Sequence, residues 1–491
     1  MTGEKIPGDL NTWDYFGTDP NELLTLNYDI LCQRSTTLFH THPPVAAAIN
    51  KNTMYAIGDG LHFRSQPDWQ MLGMTKEAAK DWGMRFQKLV HYVFQILNFY
   101  EKQALIFRTP LIMGDSLLFF DRITPPDGMP FDLIETGGDQ INFKALGKKG
   151  QKVTLGILHD DYLRKFGMYL TNGEQVNFKD ENKDQNVIQF YFKQMARQLR
   201  GYPLAYKIIS AAKNNDRYWD ATLARAVMES IILGTVNEDT EDTRNQALGL
   251  ADSYKNTDGT TSAASLTSDG NVADMGPGSV LSYNNKSGGM SFSEPKTPSN
   301  NFDKMQAAYI EIVGMATDTP AEVILSKYST SYTAHKGALN DFIKSYTQKR
   351  KTFVNHVCRP VLIEVAKYLF MNNLIEMPVN DFFENKIMQY ATISGNWLGP
   401  IPGQINPLQE AKANETDVLN AFKLRSDVAA QNGNEYDNYI EEWQQEEAAW
   451  SAGTVESQVQ SFIEAEQQKQ EQDPEQDEDP QEDTEDENLD T

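Results

Sequence analysis

The chain has 491 residues, 40% of them apolar and 11% aromatic, with a formal net charge of −25 at pH 7. That length leaves room for about three domains. The lack of any run of eighteen apolar residues excludes a membrane-spanning helix, and the acidic balance excludes tight duplex binding, which depends on Lys and Arg neutralising phosphates. Two distant cysteines, Cys32 and Cys358, exclude a disulfide scaffold and fit synthesis in a reducing cytoplasm, as does an N-terminus without the charged-then-apolar order of a signal peptide.

In chain order, residues 20–56 read as helix with a break at Pro43-Pro44, since proline is tolerated in a first turn but not inside a helix. Gly58-Asp59-Gly60 ends that run. Residues 76–105 carry apolar side chains at three- and four-residue steps, as one amphipathic helix or a pair. From 110 to 195, short runs such as LIMGDSLLFFDRI, KVTLGILHD and VIQFYFKQM between Gly, Pro, Asn and Asp clusters predict strands in a mixed region.

Helix returns over 216–236, with Tyr218, Leu223, Val227 and Ile231 near one stripe. Residues 237–301 are dense in Gly, Ser, Thr, Asn and Asp, and MGPGSVLSY and GMSFSEP are their two candidate strands, so about 65 residues form an element held between two helices. The second flanking helix is 302–316, with Met305, Tyr309, Ile312 and Ala316 on one face. A polar break follows over 317–335, opened by Pro320. A long helix runs from about Lys336 and is kinked at Pro360. A last helical block begins at Pro407 and extends to about Gln468. Residues 464–491 hold 14 acidic side chains against one Lys, half of the net charge. Such a segment buries too little surface to offset the entropy of ordering, and it reads as a disordered acidic tail serving solubility or a basic partner.

Chemical motifs are sparse. His40 and His42 share a face only on a strand, whereas their surroundings read as helix, so residues flanking a helix start outweigh a metal pair. The one candidate partner cluster is His159, Asp160 and Asp161. Gly58-Asp59-Gly60 lacks the preceding strand and following helix of a dinucleotide loop. GxxxxGK[ST], GxSxG and CxxC are all absent. Positions 344–351, KSYTQKRK, read as a solvated or subunit-bridging basic face, with phosphate contact as the other reading. No catalytic constellation stands above background, and the expectation is a protein that is not an enzyme and carries no cofactor. A metal-dependent phosphoesterase using His40, His42, His159, Asp160 and Asp161 is the alternative.

Six stretches, in order, resemble the portal proteins of tailed bacteriophages, in particular the lambda-like branch. HPPVAAAINKNTMYAIGDGLHF is similar to that branch's small-residue helix closed by Gly-x-Gly. LRGYPLAYKIISAAKNNDRYWDATLARAV is similar to its Arg-Gly-x-Pro start and Asp-Ala-x-Leu helix, and MGPGSVLSY to its Pro-Gly turn before a strand. FDKMQAAYIEIVGMATDTPAEVI resembles its helix leading to a proline loop. SYTAHKGALNDF resembles its Asn-Tyr-Ser-Ser-Ala-Arg run, with Thr333 and Ala334 at the Ser positions and Lys336 at the Arg position. WLGPIPGQINPLQEAKA resembles its Trp-x-Gly-Pro segment and the helix after it, with Asn406 and Gln409 in place of Asp and Lys.

The resemblance implies an α+β, mainly helical portal fold: N-terminal part and wing (1–215), stem helices (216–236 and 302–316), clip (237–301), tunnel loop (317–335), long kinked helix and wing return (336–406), crown (407–465) and acidic tail (466–491). It implies a ring, usually of twelve copies, at one capsid vertex of the virion. DNA is packaged and ejected through that ring, and the terminase large subunit, head-tail connectors, major capsid and scaffolding proteins are its partners. Lys327, Tyr328, Ser329, Thr330, Ser331, Tyr332 and Lys336 are then the candidate loop contacts to DNA, loose and without sequence preference.

Overall fold

The computed structural model describes residues 19–238 apart from 127, 149 and 182, together with 279–284, 289–292, 300–327, 332–379, 381–400, 407–425, 428–429 and 436–451. It divides into two units, Met1–Pro402 and Gly403–Thr491. Both are α+β or helical in content, and helix predominates.

The first unit opens with α1 (Pro20–Thr41), whose N-cap Asp19 accepts from the Asn21 amide, and α2 (Pro43–Ala56), started by its two prolines. Beyond α2, β1 (His62–Ser65) pairs antiparallel with β12 (Gly395–Leu398), placing Phe63 opposite Trp397. The periodic block at 76–105 is two helices, α3 (Lys76–Ile96) and α4 (Phe99–Met113), because Asn98 takes the left-handed conformation between them. Pro110 lies inside α4, so the expected strand run from 110 is corrected: Leu111, Ile112 and Met113 finish a helix, and β2 begins only at Ser116.

Sheet β3-β2-β8 joins β2 (Ser116–Asp121) to β3 (Asp132–Gly137) and β8 (Val187–Phe190). A four-stranded meander follows, of β4 (Lys152–Thr154), β5 (Ile157–His159), β6 (Lys165–Tyr169) and β7 (Gln175–Asn177). Next come α5 (Ile209–Ile231), β9 (Ile232–Glu238), β10 (Ser279–Asn284), β11 (Gly289–Phe292) and α6 (Asn300–Thr317). Both expected strands of the Gly/Ser-rich region exist, but the helix expected over 216–236 starts seven residues earlier and turns into a strand at Ile232. The run Ile-Leu-Gly-Thr-Val fits either periodicity; its β-branched residues favour the strand, and its glycine weakens the helical alternative. β9 is the middle strand, parallel to β10 and antiparallel to β11.

The polar break at 317–335 is also corrected. It contains a short helix, α7 (Ala321–Leu325), and Tyr332 already belongs to α8 (Tyr332–Phe353). A π-helical turn, Val354–Cys358, connects α8 to α9 (Arg359–Met371). Pro360 accounts for it, since its ring and missing N–H disturb the hydrogen bond to the preceding turn. α10 (Lys386–Thr392) leads back to β12. The second unit contains α11 (Pro407–Leu419) and α12 (Tyr436–Ser451); the acidic tail and residues 239–278 lie outside the described residues.

One large apolar core runs through α2, α3, α4, β1, β2, α8 and α9. Trp82 stacks on Phe86 at 4.9 Å and donates its indole N–H to the Glu376 carbonyl at 2.8 Å. A buried polar knot ties the remaining parts to this core. Arg200 is 0% exposed. Its Nε donates to Asp115 Oδ2 at 2.6 Å, and its remaining nitrogens donate to the Tyr28 hydroxyl, the Gly138 carbonyl and the Leu155 carbonyl. Asp115 Oδ1 accepts from the Gly201 amide and from Gln189, both at 3.0 Å. Glycine is required at 201, because a Cβ there would sit 1.8 Å from the Gly114 carbonyl oxygen.

Removing one partner of a buried ion pair strands the other charge, at a cost of about 3–5 kcal/mol. Arg200→Met is therefore expected to lower the unfolding free energy measured by urea denaturation by that amount, whereas Tyr28→Phe, which removes one hydroxyl, costs about 1–2 kcal/mol; equal unfolding free energies for Arg200→Met and the parent would refute the role. Burial pushes the Cys32 thiol up to about 12, and its Sγ donates to the Met113 carbonyl at 3.0 Å. At pH 8 a disulfide reagent should thus label it only after urea is added, and prompt labelling of the native protein would contradict this.

Candidate functional site

The segment between α6 and α8 is the region in which the sequence places its candidate contacts. Its base is fixed by polar side chains. Along α2, Val45, Ala48, Ile49, Asn52 and Ala56 fall on one buried stripe, so Asn52 carries its amide into the interior. Its Nδ2 donates to Thr319 Oγ1 at 2.6 Å, and its Oδ1 accepts from Lys349 Nζ at 2.9 Å. Lys349 also pairs with Asp318 at 3.4 Å, its side chain 15% exposed. Burial depresses the Lys349 ammonium pKa, and Asp318 opposes that shift. Gly314 and Thr319 are linked by a backbone bond of 3.0 Å that turns the chain from α6 toward Pro320 and α7.

Arg350, the next residue, caps α2. Its guanidinium donates to the carbonyls of Ala56 at 2.7 Å, Tyr55 at 2.8 Å and Pro400 at 3.0 Å. The last carbonyls of a helix lie beyond its own hydrogen-bond ladder, and a cation at a helix C-terminus also meets the negative end of the macrodipole. The expected solvated basic face at 344–351 is thus corrected in part: Lys344 is surface-paired with Asp341, whereas Lys349 and Arg350 turn inward.

Farther along the segment, His335 Nδ1 lies 2.9 Å from Glu322 Oε2, joining the first turns of α8 to α7. Lys327 is exposed, its amide bonded to the Glu322 carbonyl at 3.2 Å. Lys336 is exposed on α8, and Tyr332 is its first residue. Tyr328, Ser329, Thr330 and Ser331 lie outside the described residues.

The two helices that flank the Gly/Ser-rich region are joined where they meet the core. Phe302 of α6 packs against Tyr218 and Trp219 of α5, with centroids 6.1 and 5.0 Å apart. Gln306 donates to Asn215 at 3.2 Å. The buried stripe of α6 is Tyr309 and Val313, so the expected face is corrected: Met305 and Ile312 point outward. On α5, Trp219 and Leu223 are 48% and 57% exposed, one helical turn apart on a shared face.

The metal alternative does not survive. His42 spends both ring nitrogens on the helix junction, Nε2 at 3.2 Å from Asp216 Oδ2 and Nδ1 at 3.2 Å from the Tyr309 hydroxyl. His40 is exposed beside Phe39. His159 is bonded to Thr154 Oγ1 and the Asp160 carbonyl, while Asp160 pairs with Arg164 and Asp161 with Lys152. Among the described residues, no three of His, Cys, Asp and Glu gather in an arrangement able to hold a metal. His42 is nonetheless no idle residue, since it links α1 and α2 to both α5 and α6. No helix among the described residues is long and apolar enough to cross a membrane.

Arg350→Ala removes three charged hydrogen bonds at one helix end and is expected to cost about 2–4 kcal/mol in urea unfolding. Lys344→Ala, on the surface, should change stability by less than about 0.5 kcal/mol; similar losses in both variants would argue against the cap.

The family model described as Phage portal protein, lambda family, matches residues 7–350. No curated protein matches the chain.

Proposed function

Since the chain belongs to the lambda family of phage portal proteins, we propose that it assembles as a ring of twelve copies at one vertex of the capsid, through which duplex DNA enters during packaging and leaves on ejection. The match over residues 7–350 is the observation that carries this reading. It spans both flanking helices, the region between them and the polar segment after α6.

In this reading α5 and α6 are the stem, and the strands β9, β10 and β11 belong to the clip, where the terminase large subunit docks first and head-tail connector proteins later. Of residues 1–215, those up to the start of α5, with 336–406, form the N-terminal part and wing, among the major capsid and scaffolding proteins, and residues 407–465 the crown. The phosphoesterase alternative has no geometric support and is set aside. The outward apolar residues Trp219 and Leu223 on α5, with Ile312 and Met315 on α6, are surfaces that a neighbouring copy would cover.

The work assigned to the bore is mechanical. A duplex must slide, so fixed cations have to be few, and the acidic body keeps residence on any phosphate short. Lys327, Tyr328, Ser329, Thr330, Ser331, Tyr332 and Lys336 act as loose steric and electrostatic guides on a loop whose base is held by Asn52, Thr319 and Lys349.

Negative-stain images of the purified protein are expected to show rings with a central hole, and a compact monomer would overturn the assignment. Leu223→Asp should abolish rings while leaving a folded monomer. The double change Lys327→Ala and Lys336→Ala should leave rings intact and alter DNA retention; unchanged packaging would remove these lysines from the bore.

A further inference from the structure

A cleft of about 760 Å³ opens between the end of β8, the loop before α5, the α6–α7 turn and the junction of α8 with the π-helical turn. Four lysines line it: Lys165, Lys193, Lys207 and Lys349. Asp318 is the one carboxylate among the described lining residues, and it is already engaged with Lys349. In a chain of net charge −25, this is a concave site with an excess of positive charge.

Lys165 is its distinctive group. The ammonium donates to Gln189 Oε1 at 2.8 Å and to the Tyr191 hydroxyl at 3.4 Å, and lies 4.5 Å from the Tyr191 ring centroid. An ammonium has three N–H donors, and no ion pair is formed by Lys165 among the described residues. Gln189 cannot turn away, because its Nε2 is committed to Asp115 Oδ1 at 3.0 Å and to the Leu199 carbonyl at 3.2 Å. The Arg200–Asp115 knot therefore aims this ammonium.

Burial lowers the Lys165 pKa to about 8; Asp115 opposes the shift, and the nearby Lys193 and Arg200 add to it. A cation held at this cost, with Asp115 acting on it only from beyond ion-pair contact, is stabilised when an anion arrives. Gln194, Gln348, Ser345 and Thr352 add neutral hydrogen-bonding groups to the walls.

We propose that this cleft is a binding site for a phosphate-bearing anion, held by Lys165 at its inner wall and by Lys193 and Lys207 at its rim. The cleft is as large as a small polyphosphate or nucleotide requires. The inference rests on the cleft alone and is independent of the portal role.

Trimetaphosphate tests it, because this trianion stays fully ionised from neutral to alkaline pH. Titrated calorimetrically into the full-length protein at pH 7 and low salt, it is expected to bind with a Kd below about 1 mM. Lys165→Met should weaken binding at least about tenfold and Lys165→Arg should restore it, while Lys148→Ala, on an exposed loop, should leave it unchanged. Lys193→Ala, an exposed position, weakens binding without altering the fold, so the site stays testable even where a Lys165 variant melts early. Binding favours protonated Lys165, so protons are taken up at pH 8, and affinity should fall about thirtyfold between pH 7 and pH 9.5. No heat at 5 mM trimetaphosphate, or equal affinity in Lys165→Met, would overturn the proposal. A short DNA duplex that displaces trimetaphosphate identifies the natural phosphate as a backbone group, and lack of competition identifies a free polyphosphate.

Discussion

The Arg200 guanidinium is the contact from which the first unit is organised. A fully buried cation is tolerable only when its charge is matched and its donors are occupied. Here Asp115 supplies the charge, and Tyr28, Gly138 and Leu155 supply acceptors. These residues come from α1, the turn after α4, the end of β3 and the meander, while Arg200 itself precedes α5. Segments up to 172 residues apart in the chain thus share one electrostatic requirement, and burial pushes the Tyr28 hydroxyl well above its ordinary pKa, keeping it a neutral hydrogen-bonding partner.

A second layer of constraint hangs the working parts on that frame. Asn52, Lys349 and Arg350 hold the end of α2, the turn after α6 and the segment that follows β12 at Pro400 as one polar seam. His42 does the same for the stem-type pair, contacting α5 through Asp216 and α6 through Tyr309. The turn after α6 and the pair α5 and α6 are therefore tied to α2, a helix whose small residues allow neighbours to approach closely, or to the residue before it.

Much of this was legible in the chain. Prolines, caps and apolar periodicity placed α1, α2, α3, α6 and the long α8–α9 run, and MGPGSVLSY and GMSFSEP marked β10 and β11. The break between α3 and α4 was ambiguous, since Asn98 ends a helix through the left-handed conformation but is a weaker stop than glycine. Ile232–Val236 failed because a short aliphatic run serves helix and strand equally, and here pairing with two strands decided it. The face of α6 was misjudged because its outward residues are as apolar as its inward ones. Family resemblance pointed to Arg200-Gly201, but only the folded contacts show why both are needed. Asn52 could have been flagged as the polar member of an apolar stripe, whereas the inward turn of Lys349 and Arg350 depends on segments some 300 residues distant.

The direct passage of α5 into β9, at Ile231 and Ile232, makes the length of α5 an angular setting. Twenty-three helical residues place the sheet about 35 Å from the helix start, and each residue inserted or deleted would swing that sheet by about 100° around the helix axis. Across descendants of this chain, the α5 span should therefore keep its count.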